Sequence, residues 1–355
     1  MRIDEREVMF ARMSREKGTQ AYNDYYEKHP EHLEGDERLR NMPNLGGVGT
    51  MTYDPLNSPM VDAAFHFLGD IKHLAEGPEC APKKVEAAPE TFSNRLKGLA
   101  THYGAVLTGI AALDEHYYYS HRGRHDSNYG EAVEAKLPFT FVFAAEMSES
   151  LVNSAPQLPQ SLAVTKGYVD AAIIGMILTY YIKSLGYEAR NHMDGNYLMV
   201  MPLAAQAAGL GDLGRHGLLI TEAFGPRVRL GAVSTDMPLI VDGKSPFNVQ
   251  AFCELCAKCV RTCPSKAISP DSAQIMVSGE PSRWQIKQEA CYEKWLSLGT
   301  DCGVCLATCP FSARLPKELI DTYKTNPSAA RALLDYHDNL YPIRPFNKEK
   351  PEWLK

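Results

Sequence analysis

The sequence has no excess of positive charge and no uninterrupted apolar run of membrane-spanning length. Its 355 residues carry 37 Lys and Arg against 43 Asp and Glu, a formal net charge of -6. Proteins that bind nucleic acid present a basic surface, so we expect no nucleic-acid partner. The longest apolar stretch, Leu162 to Leu185, is interrupted by Lys166, Asp170 and Lys183. It predicts a buried helix, and no transmembrane helix is expected.

The N-terminal residues also lack the apolar core of a secretory signal and lack a twin-arginine pair. They read MRIDEREVMFARMSREKG, in which charged residues recur every few positions. As written, this start predicts a chain that stays in the cytoplasm. Removal of a twin-arginine leader leaves the alternative of an exported, membrane-associated protein.

Cysteine is concentrated in one part of the chain. Eight of the nine cysteines fall in the runs CELCAKCVRTCP and CYEKWLSLGTDCGVCLATCP. The first run is C-x2-C-x2-C-x3-C-P, the spacing of bacterial two-cluster ferredoxins, in which the fourth thiolate of each run crosses over to the other cluster. Zinc usually takes two separated C-x2-C pairs, which fits this spacing poorly. An odd cysteine count in a chain without a secretory signal also disfavours disulfides.

The crossover rule divides these cysteines into ligands for two [4Fe-4S] clusters. One cluster is assigned to Cys253, Cys256, Cys259 and Cys309. The second is assigned to Cys263, Cys291, Cys302 and Cys305. Ten residues separate Cys291 from Cys302, which departs from the compact ferredoxin repeat. The ninth cysteine, Cys80, lies in a linker-like stretch and is interpreted as a spare thiol.

Composition divides the chain into four parts. Residues 1-89 are polar and rich in Tyr and Pro, and they predict a wrapping segment with short helices, one of them over about 60 to 76. Residues 90-245 mix strand and helix patterns and predict an α/β (α+β) core. Residues 246-315 hold the cysteine module, and 316-355 form a charged tail with a helix at about Ser328 to Asp335.

Apolar patterns within the core predict its individual elements. Strands are expected over Ala105 to Leu113, Phe139 to Met147 and Tyr197 to Met201, with a strand pair formed by Leu218 to Ile220 and Val228 to Val233. Helices are expected over Gln160 to Leu185 and Leu203 to Ala208.

The segment AGLGDLGRHG contains G-x-G-x-x-G at Gly209, Gly211 and Gly214. A dinucleotide-binding fingerprint needs a strand before it and a helix after it, and here the order is reversed. The motif therefore disfavours a nicotinamide site. The glycines instead favour close approach of the backbone to a flat ligand or to a neighbouring segment.

Two segments offer groups suited to proton transfer. Tyr168 lies early in the long apolar helix, and Arg227 and Arg229 flank a valine on a predicted strand. A tyrosine that donates a proton needs a cation nearby to stabilise the phenolate. Side chains two apart on a strand share a face, so both arginines can point at one site. A core tyrosine and two surface arginines are the alternative.

Several segments, taken in chain order, resemble those of the reductive dehalogenases, a family of corrinoid and iron-sulfur enzymes. The matching segments are YNDYYEKHPEHLEGDERLR, YYYS, the pair Gly167-Tyr168, AGLGDLGRHGLLIT, GPRVRL, TDMPL and the cysteine runs ending in CPFS. The resemblance covers nearly the whole chain. It implies a nitroreductase-like cobalamin-binding core followed by a ferredoxin-like module with two [4Fe-4S] clusters. The corrinoid is expected in its base-off form, and no D-x-H-x-x-G occurs that would supply a histidine ligand.

The resemblance also implies the reaction and its residues. Co(I) would remove halide from an organohalide with two electrons and one proton, with Tyr168 as the proton donor. Arg229 would support the tyrosine, together with Asn196, or Asp194 if a short insertion is placed differently. The residues expected to contact the corrinoid are Tyr117, Tyr118, Tyr119, Ser120, Gly209, Gly211, Gly214, Arg215 and His216.

The implied partners are a small organohalide and an external low-potential electron donor: a ferredoxin, a flavodoxin or a membrane quinol chain. The oligomeric state stays open, with a homodimer as one candidate. VDAA follows Tyr168, where respiratory members often carry Ser-Arg-Met, which leaves substrate and donor open. Two alternatives are an epoxyqueuosine reductase-like tRNA modification enzyme and a non-catalytic two-cluster electron-transfer protein. The first would need a basic RNA face and a C-terminal helical extension.

Overall fold

The computed structural model describes residues 2–124, 128–273 and 283–355. In these ranges the chain forms six strands: β1 (Leu107–Ala112), β2 (Phe139–Glu146), β3 (Ala189–His192), β4 (Asp212–Leu213), β5 (Leu219–Ile220) and β6 (Val228–Thr235). Four of them make an antiparallel sheet in the order β1-β2-β6-β3. The strands β4 and β5 form a separate two-stranded ribbon.

The described residues also form fourteen α-helices. The N-terminal segment has α1 (Met9–Ser14), α2 (Gln20–Lys28), α3 (Pro30–Arg40) and α4 (Ser58–Ile71). The core has α5 (Pro89–His102), α6 (Glu149–Val152), α7 (Leu158–Ser184) and α8 (Met201–Ala207). The cysteine module has α9 (Gln250–Cys256), α10 (Lys258–Thr262), α11 (Gln288–Leu298) and α12 (Val304–Thr308). The tail has α13 (Lys317–Thr325) and α14 (Ala330–Leu340).

Alternate residues of β2 point to opposite faces of the sheet. Both faces of the sheet are covered by other elements. Phe141 and Phe143 pack with the apolar residues of α5 and α7 on one face. Val142 and Ala144 pack with α8 and the ribbon on the other. The nearly continuous apolar run of β2 therefore predicted a doubly covered strand correctly.

The central helix α7 runs across the sheet and confirms the helix expected over Gln160 to Leu185. Pro159 lies in its first turn, where its missing N–H costs nothing. The helix is long and apolar enough to cross a membrane by length and composition alone, and 56% of its most apolar window is buried inside the fold. Its position against β2, β3 and β6 accounts for that apolar character.

The N-terminal segment wraps onto the cysteine module. Arg12 forms a buried ion pair with Asp36 at 2.6 Å and reaches Glu289 of α11 at 2.5 Å. Nearby, the Gly46 N–H donates to the carbonyl of Gly299, which ends α11 in a left-handed conformation. The segment is thus fixed to a part of the chain more than two hundred residues away.

The tail completes the core of the cysteine module. Phe247 and Phe252 each pack edge-on or tilted against Phe311, and Tyr323 of α13 packs edge-on against both of them. The helix expected at Ser328 to Asp335 is present as α14, which runs further, and the tail also contains α13. The predicted divisions at 89/90, 245/246 and 315/316 stay predictions.

Two strand predictions in the core are wrong. The segment Tyr197 to Met201 makes only an isolated bridge, between Met199 and Tyr118, before α8 begins. The sheet position next to β6 belongs to β3 instead. The expected pair of Leu218 to Ile220 with Val228 to Val233 is also not formed, because β5 pairs with β4 and β6 pairs with β2 and β3.

Candidate functional site

A cavity of about 350 Å³ lies between the core and the cysteine module. Tyr168 of α7 and Arg229 of β6 line it from the core. The module contributes four cysteines to its wall: Cys263, Cys291, Cys302 and Cys305. Most of the remaining wall is apolar, including several methionines. A tyrosine hydroxyl, a guanidinium and four thiols therefore face one cavity.

Tyr168 and Arg229 are in direct contact. The Arg229 guanidinium donates to the Tyr168 hydroxyl at 3.2 Å, and its carbon lies 4.2 Å from the centre of the Tyr168 ring. Gly167 makes this approach possible, because a Cβ there would lie 2.8 Å from the Arg229 Cβ. Phe65 of α4 packs on the same tyrosine with 5.9 Å between ring centroids. The pair Gly167-Tyr168 thus brings helix and strand close enough to join a phenol and a guanidinium.

The charges around Tyr168 have opposing effects on its pKa. Burial raises the pKa above the usual 10.0, the Arg229 charge lowers it, and Asp194 and Asp301 raise it. The net result is a raised pKa. Tyr168 is therefore a neutral phenol at physiological pH, with a cation in place to stabilise the phenolate formed when its proton leaves.

Of the two polar residues expected to support the tyrosine, Asp194 lines the cavity. Asn196 instead accepts hydrogen bonds from Arg190 at 2.7 Å and Arg122 at 3.1 Å, and it donates to the Lys72 carbonyl at 2.8 Å. Its side chain is fully used in holding the turn that presents Asp194. The arrangement therefore favours Asp194 as the group nearer to Tyr168.

Asp301 was not identified from the sequence. It lies on the cavity wall beside Cys302, where the Ser161 hydroxyl donates to its Oδ1 at 3.0 Å. Burial raises its pKa, and the Arg229 charge opposes that shift. The only signal in the sequence is its position in the motif TDCGVC, directly before a cysteine of the second run.

Arg124 is a second unpredicted residue near the site. It bonds the hydroxyl of Tyr197, which lines the cavity, and lies 4.0 Å from Asp194 and 3.4 Å from Glu5. It lies in the aromatic and basic segment YYYSHRGRH, whose composition suits either a solvated loop or stacking on planar groups.

Arg227 does not join Arg229 at the cavity. Its guanidinium donates to the Ser312 carbonyl at 2.8 Å, the Met147 carbonyl at 2.8 Å and the Glu146 carboxylate at 3.0 Å. It precedes β6, so the two-residue alternation of a strand does not extend to it. Arg227 connects the sheet to the cysteine module.

Among the residues expected to contact a corrinoid, Tyr119 and His216 line the cavity. Tyr118 packs edge-on against His192, Tyr117 is half-buried, and the Ser120 N–H donates to the Ile3 carbonyl. These three residues support the wall from behind.

The three motif glycines pack against protein, not against the cavity. An added Cβ at Gly209 would lie 2.4 Å from the Gly243 carbonyl oxygen, at Gly211 2.2 Å from the Ile220 carbonyl oxygen, and at Gly214 2.5 Å from the Ile220 side chain. The sequence left open whether these glycines allow close approach to a flat ligand or to a neighbouring segment. In the structure they allow the approach of a neighbouring segment.

Arg215 binds the cysteine module. It donates to the carbonyls of Cys253, Ser269 and Asp271, pairs with Glu254 at 2.8 Å and stacks over Trp284. Every one of these contacts lies outside the core. Arg215 therefore orients the first cysteine run relative to the glycine motif.

The eight cysteines fall into two spatial groups. A second, smaller pocket is lined by Cys253, Cys256, Cys259 and Cys309, whereas the other four line the large cavity. These are the two sets that the crossover rule assigns. Burial raises the pKa of the Cys253 and Cys259 thiols to about 12 and that of Cys291 to about 11. Such thiols keep their protons until a metal replaces them.

These features define the chain as a mixed helix and sheet (α+β) protein with a two-cluster iron-sulfur module. The family model described as a 4Fe-4S dicluster domain matches residues 252–313. This match covers the whole of both cysteine runs.

The similarity to known proteins extends well beyond this module. A tetrachloroethene reductive dehalogenase of Desulfitobacterium hafniense is 29% identical over 310 residues, which cover 75% of this chain and 56% of that protein. The enzyme of the same name from Sulfurospirillum multivorans is 30% identical over 256 residues, covering 63% of this chain and 51% of that one.

A solved structure shares the fold. It is a catabolic reductive dehalogenase in complex with 3-bromo-4-hydroxybenzoic acid, which matches 96% of this chain and 46% of its own with a TM-score of 0.76 and 21% identity. The chain is thus similar in sequence to curated reductive dehalogenases and similar in fold to a solved one. It spans about half the length of the curated relatives it matches.

Proposed function

We propose that this chain carries the catalytic centre of a cobalamin-dependent reductive dehalogenase, an oxidoreductase that removes halide from a small organohalide with two electrons and one proton. The observation that carries the proposal is the shared cavity. A tyrosine–arginine pair and one quartet of cysteines line the same cavity. Reductive removal of halide needs a proton donor and an electron path at one point.

The residues present fit the cofactors that this reaction requires. All nine cysteines are free thiols, and each quartet surrounds its own space, as two separate clusters require. The large cavity has predominantly apolar walls, and within the described part of the chain the buried Nε of Arg229 has no hydrogen-bond partner. An apolar space with a few unsatisfied donors suits a large organic cofactor.

When bound, a corrinoid supplies a strongly reducing metal for breaking the carbon–halogen bond, and the clusters supply electrons to it. The chain's own residues act on the proton. Tyr168 holds it on its hydroxyl, because burial and the two carboxylates raise its pKa. Arg229 stabilises the phenolate that remains after transfer, through the 3.2 Å contact to the same oxygen. The apolar walls exclude water, so that the proton comes from a single donor.

The order of the two quartets favours one direction of electron entry. The quartet of Cys263 lines the cavity, and the quartet of Cys253 lies behind it in the module. An external low-potential donor would therefore reduce the Cys253 cluster first. A ferredoxin, a flavodoxin or a membrane quinol chain remains the expected donor.

Halide release from a cofactor-loaded protein tests the proposal. The chain is reconstituted anaerobically with iron, sulfide and cobalamin, reduced with a viologen, and offered a panel of halogenated phenols and alkenes. We expect Tyr168→Phe to lower halide release by about 10²- to 10⁴-fold, the usual contribution of a general acid. Cobalt and iron contents should stay unchanged, because the hydroxyl binds neither.

Tyr180→Phe is the matched control, since Tyr180 lies on the same helix and is exposed. It should release halide at the wild-type rate. Full activity of Tyr168→Phe would remove the tyrosine from the proton-transfer step. A protein that retains cobalamin and both clusters and releases halide from no member of the panel would contradict the proposed activity.

A further inference from the structure

His216 lies between the two cysteine groups. Its ring lines the large cavity that contains Tyr168, and it also lines the smaller pocket of Cys253, Cys256, Cys259 and Cys309. Only 7% of the residue is exposed. It is the one described histidine that lines both spaces.

The hydrogen bonds of the ring determine where its proton is. The Leu218 N–H donates to His216 Nδ1 at 3.2 Å, so Nδ1 carries a lone pair and the proton of the neutral ring is on Nε2. Within the residues that the structure describes, this buried Nε2 has no acceptor. Leaving a buried donor without an acceptor destabilises a protein. The position of His216 therefore indicates a bound group that accepts this hydrogen bond.

The ring is held against reorientation. A Cβ at Gly214 would lie 3.0 Å from His216 Cε1, so the backbone of the glycine motif packs directly on the ring edge next to Nε2. Arg215 fixes the following segment by donating to the Cys253 carbonyl at 3.1 Å. The Nε2 donor is thus fixed relative to the first cysteine run.

The other residues that line the smaller pocket limit which group can accept the hydrogen bond from Nε2. Its lining side chains are apolar, cationic or thiol: Arg215, Ile220, Phe252, Lys258, Pro310 and the four cysteines. The Lys258 ammonium is already bonded to His337 and Asp338. Sulfur is the acceptor that these side chains, and a cluster bound by them, can offer.

We infer that His216 donates its Nε2–H to a sulfur of the cluster held by the Cys253 quartet and thereby raises the reduction potential of that cluster. Reduction adds one electron and one negative charge to a cluster, and a hydrogen bond to sulfur stabilises that added charge. His216 is then a positioning residue. It makes the cluster of the Cys253 quartet, at which electrons enter and which we call the entry cluster, easier to reduce. The inference rests on the two-cluster part of the proposed function and not on the corrinoid.

The test is a redox titration, followed by electron paramagnetic resonance, of the full chain with both clusters reconstituted and no corrinoid added. His216→Phe removes the donor and keeps the volume of the ring. His216→Gln keeps an N–H close to the position of Nε2. At a fixed potential, we expect the ratio of reduced to oxidised cluster to fall about fivefold in the phenylalanine variant, the equivalent of one hydrogen bond of about 1 kcal/mol. The glutamine variant should titrate near wild type, and the second cluster should not shift.

A second measurement needs no substitution. In wild-type protein with nitrogen-15-labelled histidine, pulsed resonance on the reduced entry cluster should detect coupling to a histidine nitrogen. Unchanged titration of both variants, or absence of that coupling, would overturn the inference. So would a shift that appears only in the cobalt signal after cobalamin is added, because the donor would then serve the corrinoid. Since the titration itself contains no corrinoid, failure of halide release leaves this test intact.

Discussion

Replacing Arg229 by methionine isolates the role of its charge. The substitution keeps an unbranched side chain beside Gly167 but removes the guanidinium that lies 3.2 Å from the Tyr168 hydroxyl and 4.2 Å from its ring. A hydrogen bond to a charged group is worth about 1.5–3 kcal/mol. Since about 1.4 kcal/mol is a factor of ten in rate, halide release should fall about 10- to 150-fold.

The pH profile separates this role from a loss of folding. Burial, with the Asp194 and Asp301 charges, already raises the pKa of Tyr168 above 10.0, and the Arg229 charge lowers it more than the Arg124 charge does. Loss of Arg229 therefore raises this pKa further, so the phenol stays protonated to higher pH and the alkaline limb of the rate profile moves up. Acid availability is not reduced at neutral pH, and the loss of rate reflects the unstabilised phenolate.

The assay measures halide release against pH in protein with matched cobalt and iron contents. Arg229→Lys should recover part of the rate, because an ammonium keeps the charge but not the planar fork. A methionine variant with the wild-type rate would refute the role given to the guanidinium. A variant whose rate loss follows lost cobalt would also refute it, since Arg229 would then serve binding.

Two further substitutions test the packing that forms the site. Gly167→Ala places a methyl 2.8 Å from the Arg229 Cβ, so it should destabilise the fold by about 1–3 kcal/mol in denaturant unfolding and lower halide release by displacing the guanidinium. Arg12→Met leaves the buried Asp36 carboxylate without its ion-pair partner, so it should cost about 3–5 kcal/mol and loosen the N-terminal segment, as measured by hydrogen exchange.

Each of these substitutions has a matched control. Gly98→Ala on α5 adds a methyl with no neighbour within 4 Å and should stabilise the helix by up to about 1 kcal/mol. Arg38→Met breaks the exposed pair with Glu293 of α11, and solvent screening of that pair means that stability should change little. Equal effects for a substitution and its control would show that the close Gly167–Arg229 approach, or the Arg12–Asp36 ion pair, does not contribute to stability as expected.

Elements with a clear apolar pattern were predictable from the sequence, and elements built on buried polar residues were not. The helix α7 and the strands β1, β2 and β6 each have such a pattern. The strand β3 reads ARNH and has none, because Arg190 is buried through its 2.6 Å pair with Glu76 and two bonds to Asn196. Those partners lie on other segments, so the local sequence carries no sign of them.

The same distinction applies to the site. The cysteine spacing could be recognised because its chemistry depends on neighbours in the chain. The role of the Gly167-Tyr168 pair came only from the family resemblance, because the Arg229 that contacts Tyr168 lies on a distant strand. The positions of Asp301 and Asp194 depend on how the module docks on the core, and single acidic residues carry no spacing signal. Arg227 and Arg229 look equivalent in sequence, and they separate only because β6 begins after the first of them.

Cofactor content tests the central claim, that the cavity between Tyr168 and the Cys263 quartet holds a corrinoid beside an iron-sulfur cluster. The protein is reconstituted anaerobically with excess cobalamin, iron and sulfide, desalted, and analysed for metals and by electron paramagnetic resonance. The account predicts one retained cobalt for about eight iron atoms, and a cobalt signal broadened when the neighbouring cluster is reduced. About eight iron atoms with no retained cobalt would contradict it. So would a cobalt signal that does not change when the neighbouring cluster is reduced.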